Sequence, residues 1–249
     1  MNVYRHFAQV YDAFMADIPY EQWAGYIDEV LRSYGVPPGG LVLDLACGTG
    51  TMAFLMVQNG YELIGVDVSA DMLSEATAKM YEKGLHILFL NQDMRALDLY
   101  GTVDAVYSSC DGLNYLLTEA DFEKVLTNVA LYLNPGGIFV FDLKTDSKYR
   151  QLGDNIYYDN IGIASYQWKN HYNPDTNINE YQVQFFFQQE GQDKESISFL
   201  ETHYQRAYST EKVIDLVKKS GFKALSIFDN YAYNPARSDS ERLTYVARK

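Results

Sequence analysis

The sequence predicts an α/β fold, a parallel doubly wound sheet interrupted late in the chain by an antiparallel β insert. Three observations point there. Between Leu41 and Leu143, short apolar runs alternate with segments whose apolar residues recur every three or four positions, the mark of a sheet covered by helices on both faces. From about Gln151 to Tyr204 that rhythm gives way to period-two patterning split by polar turns. A helix pattern and two strands then complete the chain, whose 249 residues suffice for one large α/β domain.

Taken in order, Tyr4, Phe7, Tyr11, Phe14 and Ile18 give a first helical face, and Tyr20, Trp23, Ile27, Val30 and Tyr34 a second, opened by Pro19 and closed by Gly35. After the breaker Val36-Pro37-Pro38-Gly39-Gly40, strands are predicted at Leu41–Leu45, Tyr61–Val66, His86–Leu90, Val103–Ser108 and Ile138–Leu143. Helices between them span Thr51–Gln58, Ala70–Lys83 with Ser69 as N-cap, and Glu119–Tyr132 capped by Thr118. In the insert, Gly162–Tyr172, Ile178–Gln189 and Ser196–Tyr204 read as a three-stranded meander, with turns at 173–177 and 190–194. A helix over Thr210–Ser220 precedes strands Lys223–Asp229 and Arg242–Arg248, bringing the main sheet to seven.

Composition narrows the function. No apolar run reaches the ~18 residues of a membrane span, and the first twenty residues, with Asp12 and Asp17, do not read as a secretory signal, so a cytoplasmic location is expected. Cys47 and Cys110 are too few and too far apart for a disulfide scaffold or a C-x-x-C metal site, and no histidine has ligand spacing, so no metal is expected. With 33 acidic against 20 basic residues, the net charge of −13 disfavours nucleic acid and favours a neutral or cationic small-molecule partner.

The strongest chemical signal is Asp44-Leu45-Ala46-Cys47-Gly48-Thr49-Gly50, where the first strand hands over to a helix. Glycines there let backbone approach a ligand, and the helix start offers unpaired N–H groups. Asp67, at the end of the second strand, is placed to accept bonds from ribose hydroxyls. This describes an adenosine-containing ligand in a Rossmann-like fold and leaves the ligand open, because Gly48, Gly50 and Ala53 also satisfy G-x-G-x-x-A, the fingerprint of a nicotinamide-dependent oxidoreductase.

The wording of four segments resembles class I S-adenosylmethionine-dependent methyltransferases. Leu43 to Gly50 is similar to that family's first motif, Gly65 to Leu73 to its second, Asn91-Gln92-Asp93-Met94 to its adenine-binding motif, and Leu133-Asn134-Pro135-Gly136-Gly137 to the turn before its fifth strand. The lead-in, Tyr11-Asp12 followed by Tyr20 and Trp23, resembles a group of small bacterial methyltransferases of undefined acceptor. The resemblance implies S-adenosyl-L-methionine as cofactor and an antiparallel edge pair for the last two strands. It implies Gly48 and Gly50 along the methionyl part, with Ala46 in the same loop, Asp44 holding the loop and the ammonium, and Asp67 on the ribose. Val68 and Met72 would lie near the adenine, Asp93 would take its amino group, and the Met94 backbone would sit beside it. Apart from the resemblance, an aromatic face attracts a sulfonium, so Tyr11 and Tyr20 of the lead-in are candidates to close over the site, with packing on the sheet as their competing reading. On this reading, residues 1–150 hold the lead-in and cofactor core, 151–205 an inserted lid on the acceptor side, and 206–249 the completion of the core. A cofactor-binding module that has lost transfer chemistry is the non-enzyme alternative.

Methyl transfer needs chiefly in-line placement, and a base helps where the acceptor is a protonated amine or hydroxyl. Asp111 and Asn114, in the loop after the fourth strand, are candidates, although Asp111-Gly112 can simply make a turn and Asn114 simply bond the backbone. His203 on the insert is the third candidate, with an outward orientation as its competing reading. The aromatic rows of the insert are expected to roof the acceptor site or to join two copies in a homodimer. Cys47 and Cys110 follow strands expected to be neighbours, so their thiols are candidates for proximity.

Overall fold

The computed structural model describes residues 4–160, 164–187 and 197–249, with the side chains of Ala8 and of Val10 onward in the first helix and of Ser198 onward in the last segment. Helices α1 (Tyr4–Phe14) and α2 (Tyr20–Ser33) lead into β1 (Leu41–Leu45), α3 (Thr51–Gln58), β2 (Glu62–Asp67), α4 (Ala70–Glu82) and β3 (Leu88–Asn91). Then come β4 (Val103–Ser108), α5 (Glu119–Tyr132), β5 (Leu133–Lys144) and α6 (Asp146–Leu152). The insert is β6 (Ile156–Asn160), β7 (Ala164–Asn173), β8 (Ile178–Phe187) and β9 (Ile197–Arg206), and α7 (Thr210–Lys219), β10 (Ala224–Asp229) and β11 (Arg242–Arg248) close the chain.

The main sheet has the order β10-β11-β5-β4-β1-β2-β3. β11 runs against both neighbours, so it is the one reversed strand, and it lies inside the edge rather than on it. Alternation along each strand feeds two cores. Val42, Ala105, Tyr107 and Val140 face α2 and α3, while Leu43, Leu45, Val106 and Phe141 face α5 and α7. The order reverses between β1 and β4, which opens a crevice at the carboxyl ends of the strands.

Predicted and observed elements differ at three places. β5 runs unbroken from Leu133 through Asn134-Pro135-Gly136-Gly137 instead of starting after them. The pairing absorbs the extra residues as an irregularity opposite Val103 and Ala105, where a Cβ on Gly137 would stand 2.9 Å from the carbonyls of Asn134 and Asp104. The insert is four-stranded rather than three, because β6 adds an edge on β7. α6, unforeseen, bridges β5 to the insert and buries Tyr149. The expected turn at 190–194, the strand ends at Gly162, Gln189 and Ser196, and the side chains of Tyr4, His6 and Phe7 lie outside the described residues. Among the described residues no helix is long and apolar enough to cross a membrane.

Candidate functional site

The loop after β1 is shaped by left-handed backbone at Ala46 (φ +66°), Gly48 (φ +54°) and Gly50 (φ +80°). Ala46 and Cys47 donate their N–H groups to the Val66 carbonyl at 2.8 and 3.0 Å, which ties the loop to β2. Gly48 N–H then donates to Asp67 Oδ2 at 2.8 Å, while Asp67 Oδ1 accepts from Ser69 N–H at 2.8 Å. One carboxylate therefore fixes both βα turns; burial raises its pKa, and those backbone bonds oppose the rise. The two glycines divide their work. A Cβ on Gly48 would meet open space in the cavity, whereas one on Gly50 would press on Phe54, Phe89 and Ala76 at 3.2–3.3 Å, so Gly50 serves packing and the α3 N-terminus.

Asp44 is 1% exposed at the end of β1. Its Oδ2 accepts from Tyr107 Oη at 2.9 Å, from the residue paired with it across β1 and β4. Its Oδ1 is buried without a partner, and burial, only partly opposed by the Tyr107 bond, pushes the carboxyl up to about 7. Asp44 itself does not line the cavity, whose wall here is formed by Ala46, Gly48 and Asp67 together with Val68, Met72, Asp93 and Met94. Asp93 caps the short turn Met94–Ala96 and pairs with Arg95 at 2.5 Å, which holds its carboxyl below the ordinary value.

α1 lies over this loop through Asp12. Its Oδ1 accepts from Thr49 Oγ1 at 2.6 Å and its Oδ2 from Lys79 Nζ at 2.6 Å, joining α1 to the glycine loop and to α4. Tyr11, one residue earlier, lines the cavity, whereas Tyr20 is half-buried behind it against Cys110. Burial keeps both cysteines as thiols, Cys110 at about 12, and both are free. Cys47 Sγ faces Gly65, while Cys110 faces Tyr20 and the charges around Asp111.

Beyond the glycine loop the cavity, about 1370 Å³ in all, continues under the insert. Cys110 and Asp111 are consecutive left-handed residues without being glycine (φ +57° and +54°), a strained pair costing roughly 1–2 kcal/mol per residue. It is held by a bond from Asp111 N–H to Asp142 Oδ2. The Asp111 carboxylate accepts from Lys144 (3.1 Å), Arg242 (2.9 Å) and Gln205 (2.7 Å), and Arg242 also pairs with Asp142. Burial alone would raise Asp111; the two cations and the Gln205 amide overturn that and hold it below the ordinary value. Asp111 is thus a fully committed anion at a junction of β4, β5, β9 and β11 and has no proton to exchange at neutral pH.

The expectation for Asn114 needs correction. It is fully buried, is not on the cavity wall, donates to the carbonyls of Lys144 and Arg206, and accepts from Lys144 N–H, so it fastens the loop to β5 and the insert. His203 faces inward on the cavity wall, with Nδ1 3.4 Å from Tyr115 Oη. Tyr166, Trp168 and Tyr181 complete an aromatic roof. Lys144, Arg242, Gln205, Tyr115, Tyr107 and Asp12 escaped the sequence reading; the register that sets Arg242 opposite Lys144 and Asp44 beside Tyr107 is the signal that a topology supplies and a linear sequence does not. No cluster of three or more metal-ligating side chains occurs among the described residues.

A seven-stranded sheet with one reversed strand, a glycine loop bound to an acidic residue on the next strand, and a deep cavity at the switch point define a Rossmann-like nucleotide-cofactor fold. Residues 42–137 match the methyltransferase domain family. The chain is 35% identical over 250 residues to the Bacillus subtilis (strain 168) methyltransferase homologue YqeM, covering 99% of this chain and 97% of that protein. A solved S-adenosylmethionine-dependent methyltransferase from Clostridium acetobutylicum ATCC 824 superposes with a TM-score of 0.87 at 29% identity, covering 99% of both chains. Over 137 residues, 54% of this chain and 56% of its relative, it is 31% identical to dTDP-3-amino-3,4,6-trideoxy-alpha-D-glucopyranose N,N-dimethyltransferase of Streptomyces venezuelae. The chain belongs to the S-adenosylmethionine-dependent methyltransferases, and neither the nicotinamide reading nor the inactive-module reading is favoured.

The residues present fit that cofactor. The unpartnered Asp44 Oδ1, the open space at Gly48, and a cavity larger than the ~300–1,000 Å³ of an ordinary ligand site leave room for a charged cofactor and a second molecule beside it. Bound there, the cofactor supplies an electrophilic methyl on a sulfonium.

Proposed function

We propose that the protein transfers this methyl to a nitrogen of a small amine held beneath the insert. The observation that carries the reading is the charge balance of the acceptor half. Lys144 and Arg242 are neutralised by Asp111 and Asp142, and the rim adds Asp17, Asp229, Asp239 and Glu241 against Lys148 and Arg237. Such a wall has no surplus cation for a phosphate chain and suits a cationic or neutral acceptor under an aromatic roof. The partial match to an enzyme named as the N,N-dimethyltransferase of a dTDP-linked amino sugar supports nitrogen over oxygen as the accepting atom, while the charge balance sets this acceptor apart from that phosphate-bearing one.

In this reading Asp44 and the Gly48 backbone hold the methionyl end, Asp67 the ribose, and Asp93 with Met94 the adenine edge, while Tyr11 and the roof exclude water. Much of the acceleration is placement, since well-oriented reactants gain roughly 7–11 kcal/mol. A labelled-methyl screen over amine, hydroxyl and RNA fractions tests it: label is expected in amines, and label confined to hydroxyl compounds or RNA would overturn it. The outer face of the insert exposes Tyr158, Phe186, Leu200 and Tyr204, which supports self-association through that sheet; sedimentation of the wild type against Phe186→Ser is the check.

A further inference from the structure

Tyr115 occupies the one-turn segment Gly112–Tyr115 that follows the strained loop. It shares the cavity wall with Asp67 on the cofactor side and with Lys144, Tyr181 and Asp111 on the acceptor side and feels the charge of each, which places the phenol between the two halves of the cavity. The ring is 46% exposed although protein surrounds it, which means that its open surface is the cavity itself. Its Oη lies 3.4 Å from His203 Nδ1, edge-on with ring centroids 5.9 Å apart. Bonds of this kind are often long before substrate arrives and shorten in the reacting complex.

Resting on the amine reading above, we propose that Tyr115 touches the acceptor nitrogen and, with His203 behind it, relays away the proton that an ammonium must lose before it can attack. The ammonium N–H bond breaks, leaving its electron pair on nitrogen, and that proton binds Tyr115 Oη. The phenol's own proton moves along the existing hydrogen bond to His203 Nδ1. The result is a neutral amine with a free lone pair, a neutral phenol and an imidazolium, which returns its proton to water after product leaves.

The surroundings suit the direction of transfer. Burial lowers the His203 pKa, so the ring begins neutral at pH 7, and burial raises that of Tyr115, so the phenol begins protonated. The groups facing the pair are Tyr181, cross-strand from His203 on β8, Glu201 two residues earlier on β9, Tyr11 from α1, and Asp111 with Lys144 behind the phenol. Glu201 is half-buried with its carboxyl raised by burial, and it does not line the cavity. His203 stands out in the sequence as a polar group on the insert, whereas Tyr115, an aromatic in a turn, reads as packing.

Two measurements test the relay on the full chain. The first is an NMR titration of the four histidines with S-adenosylhomocysteine bound, the His203 signal being assigned by its loss in His203→Gln. Tyr115→Phe is expected to move the His203 titration upward and leave the other three in place; an unmoved His203 overturns the pairing. The second is the pH profile of kcat/KM with D-glucosamine as the probe acceptor. Tyr115→Phe and His203→Gln are expected to fall at least tenfold below the amine's own pKa and to converge on the wild type above it, with cofactor affinity by calorimetry unchanged. A parallel loss at every pH overturns the relay and leaves the amine reading standing. Methylation of hydroxyl probes with no amine accepted overturns both.

Discussion

The two halves of the cavity are built by different means. Around the cofactor, position is set by backbone: left-handed residues at 46, 48 and 50, and N–H groups of Gly48 and Ser69 on one carboxylate. Under the insert, the half proposed above to hold the acceptor, position is set by side chains gathered from four distant elements, with Asp111, Lys144, Gln205 and Arg242 meeting in a buried cluster. A backbone-built site tolerates change in its neighbours and binds one ligand shape. A side-chain-built site can be respecified, at the cost that each member holds several others in place.

That contrast can be broken most forcefully at Asp111. Asp111→Ala leaves Lys144 and Arg242 buried without their shared anion, and a loss of about 3–5 kcal/mol of stability is expected in urea unfolding. A loss below 1 kcal/mol would show that the acceptor half does not depend on its charge cluster. Next comes Asp67→Ala, expected to weaken cofactor binding by about 1–3 kcal/mol in calorimetry while leaving the acceptor half folded. Unchanged affinity would remove Asp67 from the ribose.

Asp44 sharpens the comparison through pH. Its carboxyl holds a proton to about pH 7 in the folded chain and loses it near the ordinary carboxylate value when unfolded. The native state therefore binds more protons between those values, and this group's contribution to stability falls as pH rises through that window. An ammonium placed beside Asp44 favours the ionised form. Cofactor binding below pH 7 should then release close to one proton, with affinity rising by at most about tenfold per pH unit up to 7. Calorimetry in buffers of different ionisation heat measures this, and zero release would refute the contact. The smallest effect is expected at Asp12→Asn, less than about 1 kcal/mol in stability because the carboxylate is 45% exposed, but with faster cofactor release in stopped flow.

The same contrast decides what could be read from the sequence. The β1 loop, Asp67 and the caps at Ser69 and Thr118 were legible because glycine, acid and cap residues act within a few positions of where they stand. β6 was not, since Ile156–Asn160 is an edge strand exposed throughout and carries no alternation. α6 hides because only Tyr149 of its seven residues is buried. Asn114 looked chemical because a polar residue at a sheet's carboxyl edge can face either way, and only the positions of Lys144 and Arg206 show that its amide is fully used. Lys144 and Arg242 were invisible for a related reason: one ends β5 and the other opens β11, and their meeting depends on the reversed direction of β11.

The insert's last strand does not end free of the core. Arg206 offers its carbonyl to Asn114 and its guanidinium to the Leu117 carbonyl, and Tyr208 donates to Leu116. Three fasteners within three residues join the return strand of the insert to one loop of the core. An engineer who transplants this insert onto a related core to change acceptor choice would therefore need to move residues 109–117 with it, because that short loop and the insert form a single exchangeable cassette despite lying some ninety positions apart.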